Sequence, residues 1–236
     1  MKTSLSYLTL ALSIAFAAAP FVTSPFSGFR ADQLPVPQID PPVQPEGYAF
    51  AIWGLIYAWL VISAVFGALR RPGDADWNAA RAPLIVSLAV GVPWLAIANA
   101  SAIWATVTIL IMAAGAIWAL LNAPVRDRWL FRAPVALYAG WLTAASAVSI
   151  ATTAAGFGVL DALTWAYLGI TLALCTALVV AARRPDAIAY LAAVIWALVG
   201  IILANGQTEI GVTVLAATGV TVLSIMALRN VRMAHP

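Results

Sequence analysis

Long apolar runs alternate along the chain with short breaks rich in charge, proline and glycine. The runs predict helices at about 5–24, 48–69, 83–98, 102–122, 133–155, 162–182, 186–204 and 210–228. Most of them approach the ~20 residues that an α-helix needs to cross ~30 Å of hydrocarbon. Arg70-Arg71-Pro72-Gly73-Asp74, Arg183-Arg184-Pro185-Asp186 and Asn205-Gly206-Gln207-Thr208-Glu209 punctuate the series with turn and helix-stop chemistry. Residues 82–122 carry no charge at all. As one helix they would span roughly 60 Å, about twice the hydrocarbon thickness, so the run must fold back. Asn99-Ala100-Ser101 is its most polar central stretch and the expected hairpin. The one long connection, residues 25–47, holds six prolines and two glycines. That composition predicts extended or polyproline backbone and the length of a lid or binding loop, a solvated connector being the alternative.

The pattern implies an all-α, polytopic transmembrane helix bundle of about eight helices, and the composition agrees. Of 236 residues, 64% are hydrophobic and 9% charged, against about 25% charged in a soluble domain. So little charge cannot cover a globular surface, which excludes a soluble enzyme, a secreted disulfide scaffold and a nucleic-acid binder. With both termini cytoplasmic, eleven of the twelve basic residues lie on the inner side and only Arg30 outside, as the positive-inside rule requires. The acids lean outward, with Asp32, Asp40, Glu46, Asp161 and Glu209 outside against four inside. The basic pI is therefore a topology signal. No charge falls deep within a predicted helix, which argues against a proton relay or voltage sensor. The first helix is ambiguous: Lys2, a short apolar run and Ala17-Ala18-Ala19 resemble a signal peptide. Pro20 and the apolar Phe21 and Val22 favour a retained span.

Candidates for catalysis are sparse. His235 is the sole histidine and penultimate, and Cys175 is a lone cysteine in an apolar run. No Ser-His-Asp, Cys-His or clustered metal-ligand arrangement can be assembled from these, so an enzyme is not expected. The ten tryptophans are more informative. Trp77, Trp129 and Trp165 lie near helix ends, where an interfacial belt accounts for them. Trp59, Trp141 and Trp196 lie nearer mid-helix, where the choice is between packing and a pocket for a flat ligand. Phe50, Trp53 and Tyr57 share one face of the second helix over about 10 Å. Tyr138, Trp141, Ala145, Ser149 and Thr152 make a stripe on the fifth, aromatic below and small or hydroxylated above. Two such faces meeting beneath a lid would form a mostly apolar cavity with a few polar anchors.

The stretch Pro45-Glu46-Gly47-Tyr48-Ala49-Phe50-Ala51-Ile52-Trp53-Gly54-Leu55-Ile56-Tyr57 resembles the start of the second helix in tryptophan-rich sensory proteins. These are the longer bacterial relatives of the TspO/MBR (translocator protein) family. Pro134 to Ala145, with Tyr138-Ala139-Gly140-Trp141, is similar to their fifth helix, and Trp94 to the tryptophan near the end of their third. Gly91 and Ser149 stand where the family commonly has asparagine. The resemblance covers roughly residues 1–155 and implies a five-helix core, with residues 156–236 as a three-helix extension of the same membrane domain. It further implies an inner-membrane protein that binds porphyrins, sterols or related flat hydrophobic molecules for sensing or transport, with no obligatory cofactor. The expected wall is Phe50, Trp53, Tyr57, Tyr138 and Trp141, with Trp94, Asn99 and Trp104 near its outer rim. The expected partners are the lipid bilayer and a small hydrophobic ligand that is porphyrin- or haem-like, a carotenoid being an alternative. A homodimer is left open, and nucleic acid is not expected. A secondary transporter or a structural subunit of a larger complex remain alternatives, although no repeated motif links the two halves.

Overall fold

The computed structural model describes residues 3–206 and 208–233, apart from the side chain of Met233. Lys2, Gln207 and His235 therefore lie outside the described residues. The described residues form nine α-helices: α1 (Ser4–Val22), α2 (Ile52–Arg70), α3 (Ala75–Gly91), α4 (Trp94–Ala100), α5 (Ala102–Leu121), α6 (Ala133–Gly156), α7 (Ala162–Arg183), α8 (Ile188–Asn205) and α9 (Ile210–Met233). Among the described residues, seven helical segments are individually long and apolar enough to cross a membrane. The pair α3 and α4, bent by 41° at Val92-Pro93, makes an eighth if it is one span. The protein is thus a multi-pass helical membrane bundle. Its central helix is α6, with 83% of its apolar window buried, against 22% for α9 at the periphery.

The expected hairpin is present. Helix α4 ends at Ala100, and the Ser101 hydroxyl accepts from Trp104 N at 3.3 Å to start α5. Other boundaries shift for local reasons. The third helix begins at Ala75 rather than near 83, because Asp74 caps it, accepting from the backbone N–H groups of Asp76 and Trp77 at 3.1 Å. Pro83, whose position suggested a helix start, lies in the interior. Helix α2 is preceded by a 3₁₀ turn (Gly47–Ala51), so Phe50 stands in that turn. A π turn (Arg128–Arg132) leads into α6. Helix α9 runs five residues further than the apolar pattern indicated.

The extra length of α3 brings a charge inside the packed bundle. Arg81 is only 1% exposed. Among the described residues no carboxylate forms an ion pair with it; its guanidinium donates to the carbonyls of Gly67 and Arg71 at 2.9 Å and to Asn78 Oδ1 at 2.8 Å, and lies over the Trp77 ring. It thereby adds a charged donor to carbonyls at the C-terminus of α2 and meets the negative end of that helix dipole. Arg184 does the same for α5, donating to Leu120 O, Leu121 O and Ala123 O at 2.7–3.1 Å. Around these caps lie ion pairs: Arg132 and Arg184 with Asp186, Arg126 with Asp74, and Arg71 with Asp127. Asp127 also accepts from Trp77 Nε1 at 3.0 Å. Trp77 is therefore a buried structural residue, 1% exposed, and not part of an interfacial belt. Trp129 is exposed and stacks on Trp59, whose indole N–H donates to Trp129 O at 2.9 Å.

The last three helices are packed into this bundle, not appended to it. A Cβ at Gly140 of α6 would strike the Tyr190 carbonyl of α8, so the two backbones touch there. The Thr143 hydroxyl and the Tyr190 hydroxyl are bonded at 2.9 Å, and Trp196 of α8 donates to Ala49 O at 2.9 Å.

Two predictions follow from this packing. Gly140→Ala adds a methyl against backbone that cannot rotate away, so it should cost about 1–3 kcal/mol. Gly54→Ala meets nothing within 4 Å and should change stability by less than about 0.5 kcal/mol. Thermal unfolding of the two variants in detergent checks the contrast. The second concerns acid. The hydrogen bond from Arg71 holds the Asp127 carboxyl below its ordinary range, so its contribution to stability is complete above the unfolded value, about 4. It is lost as pH falls through the lower folded value. Asp127→Asn should be less stable than the parent at neutral pH, and the gap should narrow on acidification below about 4.

Candidate functional site

A cavity of about 350 Å³ lies at the end of the bundle opposite the arginine caps, beneath the segment joining α1 to α2. That segment is extended for much of its length, with one short 3₁₀ turn (Ala31–Gln33). It is anchored along its whole course. The Arg30 guanidinium donates to Asn99 O at 2.9 Å and Gln33 Nε2 to Ala98 O at 2.9 Å, closing the C-terminus of α4. Asn99 Nδ2 returns a bond to Ser24 O at 3.0 Å. Val36 N donates to Gly156 O at 2.8 Å at the end of α6, where Leu34 packs on Gly156 in space that a Cβ would fill. Asn205 of α8 donates to Pro42 O at 2.8 Å. The loop is therefore a roof fastened to helix ends, and those ends gain partners for carbonyls that no intrahelical bond uses.

Aromatic rings make most of the wall. Trp53 and Tyr57 of α2 stack at 5.3 Å, and Trp53 meets Trp141 of α6 edge-to-face at 6.1 Å. Phe50 meets the other side of Trp141 at 5.9 Å. Trp94 lines the cavity from α4, its N–H donating to Ala105 O at 3.1 Å and its ring facing Phe26 of the roof at 5.3 Å. Above Trp141, Ala145, Ser149 and Thr152 continue the α6 wall toward the roof. The Ser149 hydroxyl is engaged with Thr106 at 2.7 Å.

Five of the eight expected wall and rim residues thus share this cavity: Phe50, Trp53, Tyr57, Trp94 and Trp141. The other three do not line it. Tyr138 is fully buried one turn below, bonded to the Ser87 hydroxyl at 2.9 Å and packed against Phe16. It supports the floor without reaching the space. Asn99 acts on the roof through its tether. Trp104 is 62% exposed on the outer surface of the bundle and does not line the cavity.

Sequence reasoning missed Phe16, Phe26, Phe29, Gln44 and Ala197, which all line the cavity. Phe16 is central to the floor, in edge contact with Trp53, Tyr57 and Tyr138 at 5.0–5.8 Å. Its place depends on Gly91, where a Cβ would come within 2.8 Å of the ring. Gly91 therefore has a steric role: a phenylalanine from α1 occupies the ground a side chain there would take. The usable signal was the pair Phe26 and Phe29, the two aromatic residues of the proline-rich loop. Nothing in the sequence marks Ala197 of α8.

Chemically the wall is apolar with scattered hydroxyl and indole groups. Among the described residues no group of three or more His, Cys, Asp or Glu could hold a metal ion. The family model described as "TSPO-like protein" matches residues 5–229. The chain belongs to this TSPO-like family. The match runs through the last three helices as well as the first part of the chain, in keeping with the contribution of α8 to the cavity. No curated protein and no solved structure gives a significant match.

The roof tethers generate a prediction. Gln33→Ala combined with Asn99→Ala removes three bonds between side chain and backbone, from Gln33 Nε2 to Ala98 O, from Arg30 N to Gln33 Oε1 and from Asn99 Nδ2 to Ser24 O, each worth about 1 kcal/mol. Amide exchange over residues 25–46 should accelerate about tenfold or more, with the exchange of α5 and α6 unchanged. Equal protection in variant and parent would show that these two side chains do not hold the roof.

Proposed function

We propose that this TSPO-like protein is a non-catalytic receptor or carrier for a flat, mostly apolar small molecule of the tetrapyrrole kind. In this reading it sits in a bacterial inner membrane with both termini cytoplasmic and the roofed cavity toward the outer leaflet. One observation supports it above the rest. Rings from α1, α2, α4 and α6 converge on a shared space of about 350 Å³ instead of filling it or facing lipid. That volume lies within the ~300–1,000 Å³ range of small-molecule sites. Trp53 and Trp141 both line the space, and aromatic walls favour planar, polarisable ligands that can stack or meet them edge-on. The wall offers no paired acid and base, so any chemistry on the ligand would have to come from the ligand itself.

The test is a titration of the purified full chain with protoporphyrin, read by quenching of tryptophan emission and by the shift of the porphyrin Soret band. The parent should show saturable binding. Trp53→Leu with Trp141→Leu should weaken it at least tenfold on both readouts, with expression and helical content retained. Trp104→Leu, outside the cavity, should bind as the parent does. Unchanged binding in the double variant would reject this wall. The absorption spectrum after gentle purification bears on the ligand class: a Soret band favours a tetrapyrrole, and a three-peaked visible spectrum a carotenoid.

A further inference from the structure

A second, much smaller space lies beside the chamber, and the inference drawn from it rests on the binding reading above. It is a void of about 10 Å³ between α6, α7 and α8, with Val43 of the roof in its wall. Ala144 and Val148 of α6 and Ala197 of α8 line both spaces. The order of residues round α6 shows how the two adjoin. At about 100° per residue, Trp141, Ala145, Ser149 and Thr152 share the sector that faces the chamber. Val148 and then Ala144 follow at its edge, and Ala147 lies beyond them, lining the void alone. The partition is therefore a single layer of small side chains. Past it stand Gly169 and Ala173 of α7 and Val194 and Ile201 of α8. No polar side chain lines this annex, and apart from the half-buried Val148 its residues are buried.

Room of that size is close to what one water molecule needs, but a wall without hydrogen-bonding side chains keeps water out. An empty apolar void in a close-packed interior is destabilising, because the atoms around it lack neighbours. A carbon arriving from the chamber would supply those neighbours and be buried itself. We infer that the annex is a subsite for the terminal carbon of a short apolar branch on the ligand ring. A vinyl or ethyl group fits this description: its first carbon crosses the partition between Val148 and Ala197, and its second occupies the void. The planar core stays in the chamber among the tryptophans. The annex has room for about one carbon, so a bare ring position leaves it empty and a long chain overfills it. Helix α7, which lines no part of the chamber itself, in this way takes part in choosing the ligand.

The experiment compares three porphyrin diacids of equal charge that differ at two ring positions. Protoporphyrin carries vinyl groups there, mesoporphyrin ethyl groups and deuteroporphyrin hydrogen. Each is titrated into the full chain in lipid nanodiscs. The signal of the Trp53→Leu, Trp141→Leu protein is subtracted to remove partition into lipid. Protoporphyrin and mesoporphyrin should bind about three- to tenfold more tightly than deuteroporphyrin. Ala173→Val fills the annex from α7, outside the chamber. It should abolish that preference by weakening the two branched porphyrins, with deuteroporphyrin unchanged. Should Ala173→Val fail to fold, Ile201→Val, which enlarges the annex by one methyl, takes its place and should widen the preference. Equal binding of all three porphyrins by the parent overturns the subsite while leaving the chamber standing. A preference that neither variant alters, or an equal loss of all three porphyrins, marks the void as a packing feature and overturns it too. Binding of no porphyrin above the subtracted control overturns this inference together with the reading beneath it.

Discussion

Helix ends are the weak points of a protein immersed in hydrocarbon, because their last carbonyls have neither a helical partner nor water. The arrangement of this bundle follows from how those ends are met. At one face, guanidinium groups from neighbouring segments reach into the C-termini: Arg81 into α2 and Arg184 into α5. At the other face the loop between α1 and α2 supplies the donors, through Arg30 and Gln33 to α4 and Val36 to α6. The first solution gathers the basic residues on one side. The second spreads a roof over the space between the helices. The cavity exists because the chain that closes the helix ends does not fill the volume beneath it.

The architecture was largely legible in the sequence because hydrophobic length and charge position are coarse, redundant signals. The fold-back at Asn99-Ala100-Ser101 followed from length alone. What failed was local. Pro83 suggested a helix start, yet Asp74 is the better cap and the helix accepts the proline in its interior. That error hid Arg81, which lay in an apparent loop and in fact stands inside a helix, neutralised by carbonyls that no sequence pattern records. Trp77 was assigned to an interface for the same reason, since its partner Asp127 is fifty residues away.

The candidate site was legible where periodicity on one helix was enough. Phe50, Trp53 and Tyr57, and the stripe from Trp141 to Thr152, could be placed on common faces without coordinates. Residues contributed by a loop or by a distant helix could not, as Phe26, Gln44 and Ala197 show. Tyr138 and Trp104 illustrate the converse limit. Both are aromatic and lie on the helices expected, but Tyr138 sits one turn too deep to reach the cavity and Trp104 faces outward.

The close approach of α6 to α8 at Gly140 has a consequence for how the molecule can be divided. The roof rests on α8 at Pro42 and Pro45, and α8 also supplies Ala197 to the wall. A shortened chain ending after α6 would leave one flank of the chamber unsealed and strip the loop of several of its moorings. The segment from α7 onward is thus no detachable module: a minimal engineered version of this scaffold has to keep α8, or rebuild its contacts with another chain.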